Sequence, residues 1–384
     1  MMIVLGNRLE FSIQSSRSHH GSKSMVSTAS LESGVMLFMN EDKPTMVADD
    51  TDSENPKAPR NLTGGNDKGG MPLLPPLACI KTPYFHILGY SVAGEETAVQ
   101  IPELNVVFDI GKCPRPVLTS DFCLLTHGHM DHSGGLAYYL SQRFFQGMCP
   151  GTVLCPHPIA DAVTAMIEAF GRLEGKAIAH RLIPMSSGDE FELRKGLIVR
   201  AFPTCHTVPS LGYTLIDRRE KLRPDLAVQQ LPGHVLRDMK ARGEKITYTL
   251  DIPLVSYTGD TTLPETLFHP DVRQARVLIS ECTFFDPNHR RRATVGKHLH
   301  VQDLIEALPQ LENELLIITH VSRRTYVNWA EKTLRRAISG SPPKPQIEFL
   351  MAHAQKLQVI PGSAADFAPA ELPGGEDNGD DTES

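Results

Sequence analysis

Apolar and polar positions along the chain follow two alternating periods. Short aliphatic or β-branched runs recur at 106–110, 122–126, 152–156, 197–204, 213–217, 255–260, 277–281 and 315–319. Runs of this length and composition read as buried strands. Between several of them the spacing lengthens to that of a helix. Ile159, Val163, Met166, Ile167 and Phe170 share one face, as do Val301, Leu304, Ile305 and Leu308, and again Val327, Ala330, Leu334 and Ile338. Strands and helices mixed over 76–360 predict one layered α/β domain with two sheets and outer helices. The polar stretch 218–245, with Pro224, Pro232 and Gly233, interrupts this order and reads as an inserted arm or lid. No internal repeat is visible.

The two ends follow another rule. Residues 1–75 show little periodicity and carry an acidic run, Asp49, Asp50, Asp52 and Glu54, before a Gly- and Pro-containing stretch. Residues 361–384 are rich in Pro, Gly, Ala and acids. Neither offers enough apolar surface to offset the entropy of ordering, so both are expected to be disordered extensions. No stretch approaches the roughly 20 apolar residues that a membrane span needs. The N-terminal segment lacks a secretory apolar core followed by a small-residue cleavage site, and only its Ser-rich, acid-poor first 31 residues hint at an organelle transit peptide. A cytoplasmic protein is expected.

Charge changes the picture only when it is divided. The formal net charge is −7, which argues against a nucleic-acid partner. The acidic tail holds seven acids and no Lys or Arg, and residues 1–75 hold seven basic and nine acidic groups. The central 76–360 is left with 31 basic and 29 acidic side chains. Whole-chain charge therefore does not settle the partner. Seven scattered cysteines without a CxxC fit reduced thiols, most of them small core residues, better than a disulfide framework.

The decisive segment is FCLLTHGHMDHSGG, residues 122–135. An apolar strand ends and is followed at once by His127, His129, Asp131 and His132. Imidazole and carboxylate are the groups that borderline divalent metals accept. Four of them in six residues exceed what one tetrahedral ion takes from one loop. His127 and His129 can point to one ion, and Asp131 and His132 can reach a second. Gly134 and Gly135 let the following helix pack close. Three further groups end predicted strands: His206 after LIVRAFPTC, Asp260 at the end of VSYTGD, and His320 at the end of LLIITH. A pair of ions about 3.5–4 Å apart needs a shared ligand, and a carboxylate such as Asp260 can bridge. Zinc fits these donors best. Cys205, beside His206, is the weaker alternative ligand.

The set HxHxDH, His, Asp, His resembles the metallo-β-lactamase superfamily over most of 76–360, with its four-layer αββα sandwich. Within it the chain resembles the tRNA 3′-processing endonucleases, the short, plant-type ribonucleases Z. FDIGKCPRP at 108–116, SDFCLLTHGHMDHSGGL at 120–136, CHTVPSLGY at 205–213, YTGDTT at 257–262 and ECTFFD at 281–286 carry the likeness. HTVPSLGY and the E-x-T-F stretch favour this branch over glyoxalase II or true lactamases. The Asp of TGDT, where many lactamases place a Cys, argues against antibiotic hydrolysis.

The resemblance implies two Zn2+ ions per subunit, with Mn2+ as an alternative. His127, His129 and His206 would hold one, Asp131, His132 and His320 the other, and Asp260 would bridge. It implies cleavage of precursor tRNA to a 3′-OH tRNA and a 5′-phosphate trailer, by a homodimer without a nucleotide cofactor. Asp131 would handle the nucleophile's proton. His298, oriented by Glu281, would protonate the departing 3′-oxygen. Here the chain reads KHLH where the family more often has GHST, which leaves His300 as a rival for that role. The last block reads THVSRRT, where an aromatic more often follows the His.

Arg290, Arg291, Arg292 and Lys297 flank the candidate catalytic histidine, Arg323 and Arg324 follow His320, and Arg218, Arg219, Lys221 and Arg223 open the arm. Such clusters suit phosphate contacts. The arm matches the family's tRNA-gripping region but is short. Two other readings use the same residues: a general phosphodiesterase or thioester hydrolase, and a non-catalytic RNA-binding protein that keeps the fold.

Overall fold

In the computed structural model, the described residues are 77–262, 264–339 and 345–354. The expectations for 1–75 and 361–384 lie outside them. A first sheet begins with β1 (Ala78–Lys81), β2 (His86–Ala93) and β3 (Glu96–Ile101), continues through β4 (Val106–Phe108) and β5 (Phe122–Leu124), and passes by α1 (Met130–Ser133) and α2 (Leu136–Phe145) to β6 (Gly151–Pro156). Helix α3 (Ala160–Glu174) then leads to β7 (His180–Met185). The strands lie in the order β1-β2-β3-β4-β5-β6-β7. The second sheet starts with β8 (Glu190–Arg194), β9 (Leu197–Pro203) and β10 (Leu211–Leu222), crosses α4 (Pro224–Ala227) and α5 (Gly233–Ala241), and returns on β11 (Thr247–Tyr257). After α6 (Pro264–Leu267) and α7 (Pro270–Arg273) come β12 (Val277–Glu281), α8 (Arg290–Gly296), α9 (Val301–Ala307) and β13 (Leu315–Thr319). The short β14 (Val321–Ser322) pairs with β2, and α10 (Val327–Ala337) precedes β15 (Gln346–Phe349). The second sheet has the order β15-β13-β12-β11-β10-β9-β8.

Three apolar layers follow from this order. Val99, Phe108 and Leu124 of the first sheet pack against Tyr213, Val255, Ile279 and Ile317 of the second. Outside the first sheet, Val107 and Val153 meet Leu136, Leu140, Val163 and Ile167 of α2 and α3. Outside the second, Leu278, Leu316 and Ile318 meet Leu304, Ala330 and Leu334 of α9 and α10. The result is the four-layer αββα sandwich. Of the predicted helix faces, Phe170 is the exception: it is 44% exposed rather than buried.

The strands at 277–281 and 315–319 fall where the periodicity placed them. Others differ at their ends. β5 stops at Leu124 and β11 at Tyr257, so Thr126 and Asp260 lie in loops beyond them. β1, β2, β3, β7, β8, β14 and β15 are additions to the predicted set. The greatest difference is at the arm. The expected interruption at 218 is a continuation, for β10 runs on to Leu222 and pairs with β11 from Arg218↔Asp251 to Leu222↔Thr247. Only α4, α5 and their connections form the tip. Its strand halves carry polar residues on both faces because no second layer covers them, and so they show no strand period.

β4 to β7 are mutually parallel, as are β11, β12, β13 and β15. β9 runs in the direction of β11, since β10 is antiparallel to both. The C-terminal ends of β4, β5, β9, β11, β12 and β13 therefore open on one rim, where open α/β sheets bind ligands.

Candidate metal centre

Each of those ends delivers a chemical group. Asp109 follows β4, and the loop after β5 holds His127, His129, Asp131 and His132. His206 lies beyond β9 and Asp260 beyond β11. Glu281 closes β12, and His320 follows β13. Two glycines make the approach possible. Gly259 has φ +57, and a Cβ on it would lie 2.7 Å from the Thr126 Cβ. A Cβ on Gly135 would lie 2.7 Å from the Cys113 nitrogen. Asp109 and His320 themselves adopt positive φ, 55° and 56°, a strained conformation for a non-glycine residue that is typical of functional positions.

The donor atoms fall into two separate groups, His127, His129, His206 and Asp260 in one and Asp131, His132 and His320 in the other, and a third, Asp260, His298 and His320, overlaps both. The Asp260 carboxylate stands between them. Its Oδ2 is 3.7 Å from both His127 Nε2 and His206 Nε2 and 3.4 Å from His132 Nε2, while its Oδ1 is 3.4 Å from His320 Nδ1. His127, His132, His206, Asp260 and His320 are buried, whereas His129 and Asp131 are partly open. Cys205 is half-buried and belongs to neither group.

The residues fit a pair of cations on two counts. First, the Asp260 Oδ1 is buried with no hydrogen-bond partner among the described residues, a costly state for a carboxylate oxygen unless a cation meets it. Second, most of the rings are tied by the nitrogen that faces away. His132 Nδ1 donates to Asp109 Oδ2 at 2.8 Å, His127 Nδ1 to Thr126 Oγ1 at 2.9 Å, His206 Nδ1 to the Lys297 carbonyl at 3.1 Å, and His320 Nδ1 to Thr283 Oγ1 at 3.0 Å. With a cation bound, their inward nitrogens would be lone pairs. Yet inward nitrogens lie 3.1 Å apart for His127–His129 and His206–His129, and 3.2 Å apart for His132–His320. Lone pairs so close repel unless a cation or a proton lies between them.

Charge is arranged to match. Burial opposes ionisation of Asp260, but the His320 and His132 charges outweigh it and hold the carboxyl well below the usual range. Asp131 is likewise held low: burial acts against it, and the hydrogen bond of His320 and the His132 charge prevail. Its Oδ2 also accepts from the Gly94 N–H at 2.7 Å. His127 is pushed well down, first by burial and then by His132.

The two candidate histidines of the KHLH stretch part company. His298 lines the cavity over the metal-type donors. Its Nδ1 lies 3.0 Å from Glu281 Oε1, and its Nε2 bonds to no described residue. Burial works against charge on this ring, yet the Glu281 carboxylate and Asp260 raise it to about 9. His300 instead caps α9, accepting from the Gln302 N–H at 3.2 Å, with its Nε2 held by the Asp286 carbonyl at 3.0 Å. Glu281 is buried and fixed by Thr261 N at 2.7 Å and Thr283 Oγ1 at 2.6 Å.

Residues 112–321 match the Beta-lactamase superfamily domain. A tRNase Z of Arabidopsis thaliana is 34% identical over 264 residues, 67% of this chain and 91% of that protein. A chloroplastic tRNase Z of the same plant is 36% identical over 63% of this chain and 69% of the relative. A nuclear ribonuclease Z of Triticum aestivum is 36% identical over 43% and 93%. The chain belongs to the ribonuclease Z family of the metallo-β-lactamase superfamily.

Within this ribonuclease Z fold, three supporting residues had escaped the sequence. Asp109 is fully buried and accepts from His132, Thr126 and the Tyr257 hydroxyl. Thr126 links it to His127, and Thr283 links Glu281 to His320. Asp109 stands inside FDIG at a strand end, and that position was its only signal. Among the described residues no helix is long and apolar enough to cross a membrane.

Proposed function

We propose that this site cuts precursor tRNA at the 3′ side of the acceptor stem, leaving tRNA with a 3′-OH and a trailer with a 5′-phosphate. The observation that carries the reading is the placing of Asp260 between two three-residue donor groups, with a cationic His298 on Glu281 beside them. His127, His129 and His206 would hold one Zn2+ ion, Asp131, His132 and His320 the second, and Asp260 both; Mn2+ is the alternative metal. When bound, such a pair supplies Lewis acidity, neutralising charge on a phosphodiester and making hydroxide available near neutral pH.

The chain's own residues do the rest. Asp131, ionised and partly open to the cavity, receives the proton of the attacking water. Asp109 and Thr126 hold the rings of His132 and His127 in one tautomer, so that those donors need no reorganisation. His298 keeps Nδ1 on Glu281 and turns Nε2 to the cavity. That nitrogen donates first to the phosphate and then to the departing 3′-oxygen, as a general acid near its pKa does. The arm, with Arg223, Arg237, Lys240 and Arg242 on exposed positions, supplies contacts to the tRNA body. Assembly as a homodimer belongs to the same reading, and the exposed Tyr138, Phe144 and Phe145 of α2 give it an apolar surface.

The test is cleavage of a 3′-extended precursor tRNA with the cut mapped to the nucleotide. Wild-type protein is expected to cut at the acceptor stem, and Asp131→Ala to lose at least about 10³-fold in rate. Turnover of a small phosphodiester without cleavage of the precursor would sink the proposal.

A further inference from the structure

One wall of the cavity over the donors is made of a half-buried aromatic ring, Phe284, and three guanidinium groups, Arg292, Arg323 and Arg324. The three arginines come from two separate places in the chain: Arg292 from α8, just before His298, and Arg323 and Arg324 from the turn after His320. None forms an ion pair with a described acid, although Arg290, on the same helix as Arg292, is bound to Asp303 at 2.6 Å. Their charges converge. Arg292 Nη1 lies 3.3 Å from His289 Nε2, and His289 is held below its usual value by burial and by the charges of Arg292 and Arg324, against Asp286. Three unneutralised cations beside one another repel, and an exposed cluster of this kind is stabilised by an external anion. Phe284 stands edge-on to both His289 and His298, with ring centroids 5.8 and 6.1 Å away and interplanar angles of 74° and 68°. A ring braced at its edges in a cationic wall suits the stacking of a nucleic-acid base.

Its position says which base. His298 is the nearest ring to Phe284 on the donor side and the group that protonates the departing oxygen. The nucleotide that keeps that oxygen must therefore lie on the His298 side of the cavity, next to Phe284. We infer that Phe284, Arg292, Arg323 and Arg324 form a subsite for the single-stranded nucleotide 5′ to the cut, with Phe284 stacking on its base and the arginines holding its phosphates. This rests on the proposed tRNA 3′-processing reading, and it assigns the wall to the tRNA side of the scissile bond and not to the trailer.

The experiment measures binding of the two product fragments directly, so that it does not depend on turnover. One probe is an acceptor-stem minihelix with a single unpaired 3′ nucleotide and a 3′-OH; the other is a 5′-phosphorylated trailer oligonucleotide. Fluorescence anisotropy at several salt concentrations is read for the metal-loaded wild type, for the Arg292→Ala/Arg323→Ala double variant, and for Phe284→Leu, which keeps apolar volume but loses the ring. The double variant is expected to bind the minihelix at least about tenfold more weakly, with a shallower salt dependence. Phe284→Leu should weaken the minihelix about tenfold. The minihelix-to-trailer affinity ratio should fall in both. An equal or greater loss for the trailer, or no loss for the minihelix, overturns the assignment. A wild type that binds both fragments but leaves precursor tRNA uncut refutes the proposed function and leaves the side of the wall readable.

Discussion

The floor of the site and the arm that leaves it are held by different physics. At the floor, Asp109, His127 and His132 have no solvent exposure, and Asp260 and Glu281 have almost none. Asp109, His127, His132 and Glu281 are each placed by a strand end and a hydrogen bond, so position is set by the sandwich core. The arm has no second layer beneath it: α5 buries none of its residues. Its root is instead tied by charge. Arg218 of β10 binds Glu190 of β8 and Asp251 of β11, and Arg200 of β9 binds the same two acids and Asp271 of α7. A site that must hold atoms within tenths of an ångström is built from burial, and a surface that meets a large flexible substrate is built from exposed ion pairs.

Substitutions at the floor should have the largest effects, and the KHLH stretch offers the sharpest one. His298→Ala should lower kcat by about 10²- to 10⁴-fold while elemental analysis shows the metal content unchanged, because its Nδ1 is held by Glu281 at 3.0 Å. His300→Ala should instead cost about 1 kcal/mol of stability through the lost cap, read by denaturant unfolding, with kcat retained. Equal kinetic damage from both would show that the acid has been assigned to the wrong ring.

One step back from the donors, Asp109→Asn removes the carboxylate that fixes His132. Metal affinity, measured against a chelator, should drop by about 10- to 100-fold. A change confined to stability, with affinity intact, would make Asp109 a core residue and nothing more.

The same contrast explains what the chain discloses as a bare string. Floor residues were legible because few residue types serve the chemistry, and those types sit directly after apolar runs: His206 after LIVRAFPTC and His320 after LLIITH. Asp109 was not, since a single Asp after a strand is also an ordinary turn residue. KHLH shows two imidazoles two residues apart, and only the turn through Lys297, at φ 52°, decides which faces the cavity. The strands of the arm root were hidden for the opposite reason. Period-2 patterning records burial of one face, and at Arg218–Leu222 neither face is fully buried. β3 was hidden as well: ETAVQI is buried throughout, but its Glu, Thr and Gln break the apolar run.

The smallest predicted effect lies at the arm root and follows from its ion pairs. Hydrogen bonds from Arg218 first, and then from Arg200, hold the Asp251 carboxyl down to about 2, against partial burial. A group whose folded value is depressed adds stability above its unfolded value, near 3.8, and that stability is lost as pH falls toward the folded value. Asp251→Asn should therefore be less stable than wild type at neutral pH, with the gap closing between about pH 4 and 2. Its side chain is 28% exposed, so screening by water and salt keeps the effect modest. Denaturant unfolding of both proteins at a series of pH values, at low and at high salt, checks this. A gap that stays constant down to pH 2 would mean that packing and not charge ties the arm, and the division between floor and arm would lose its physical basis.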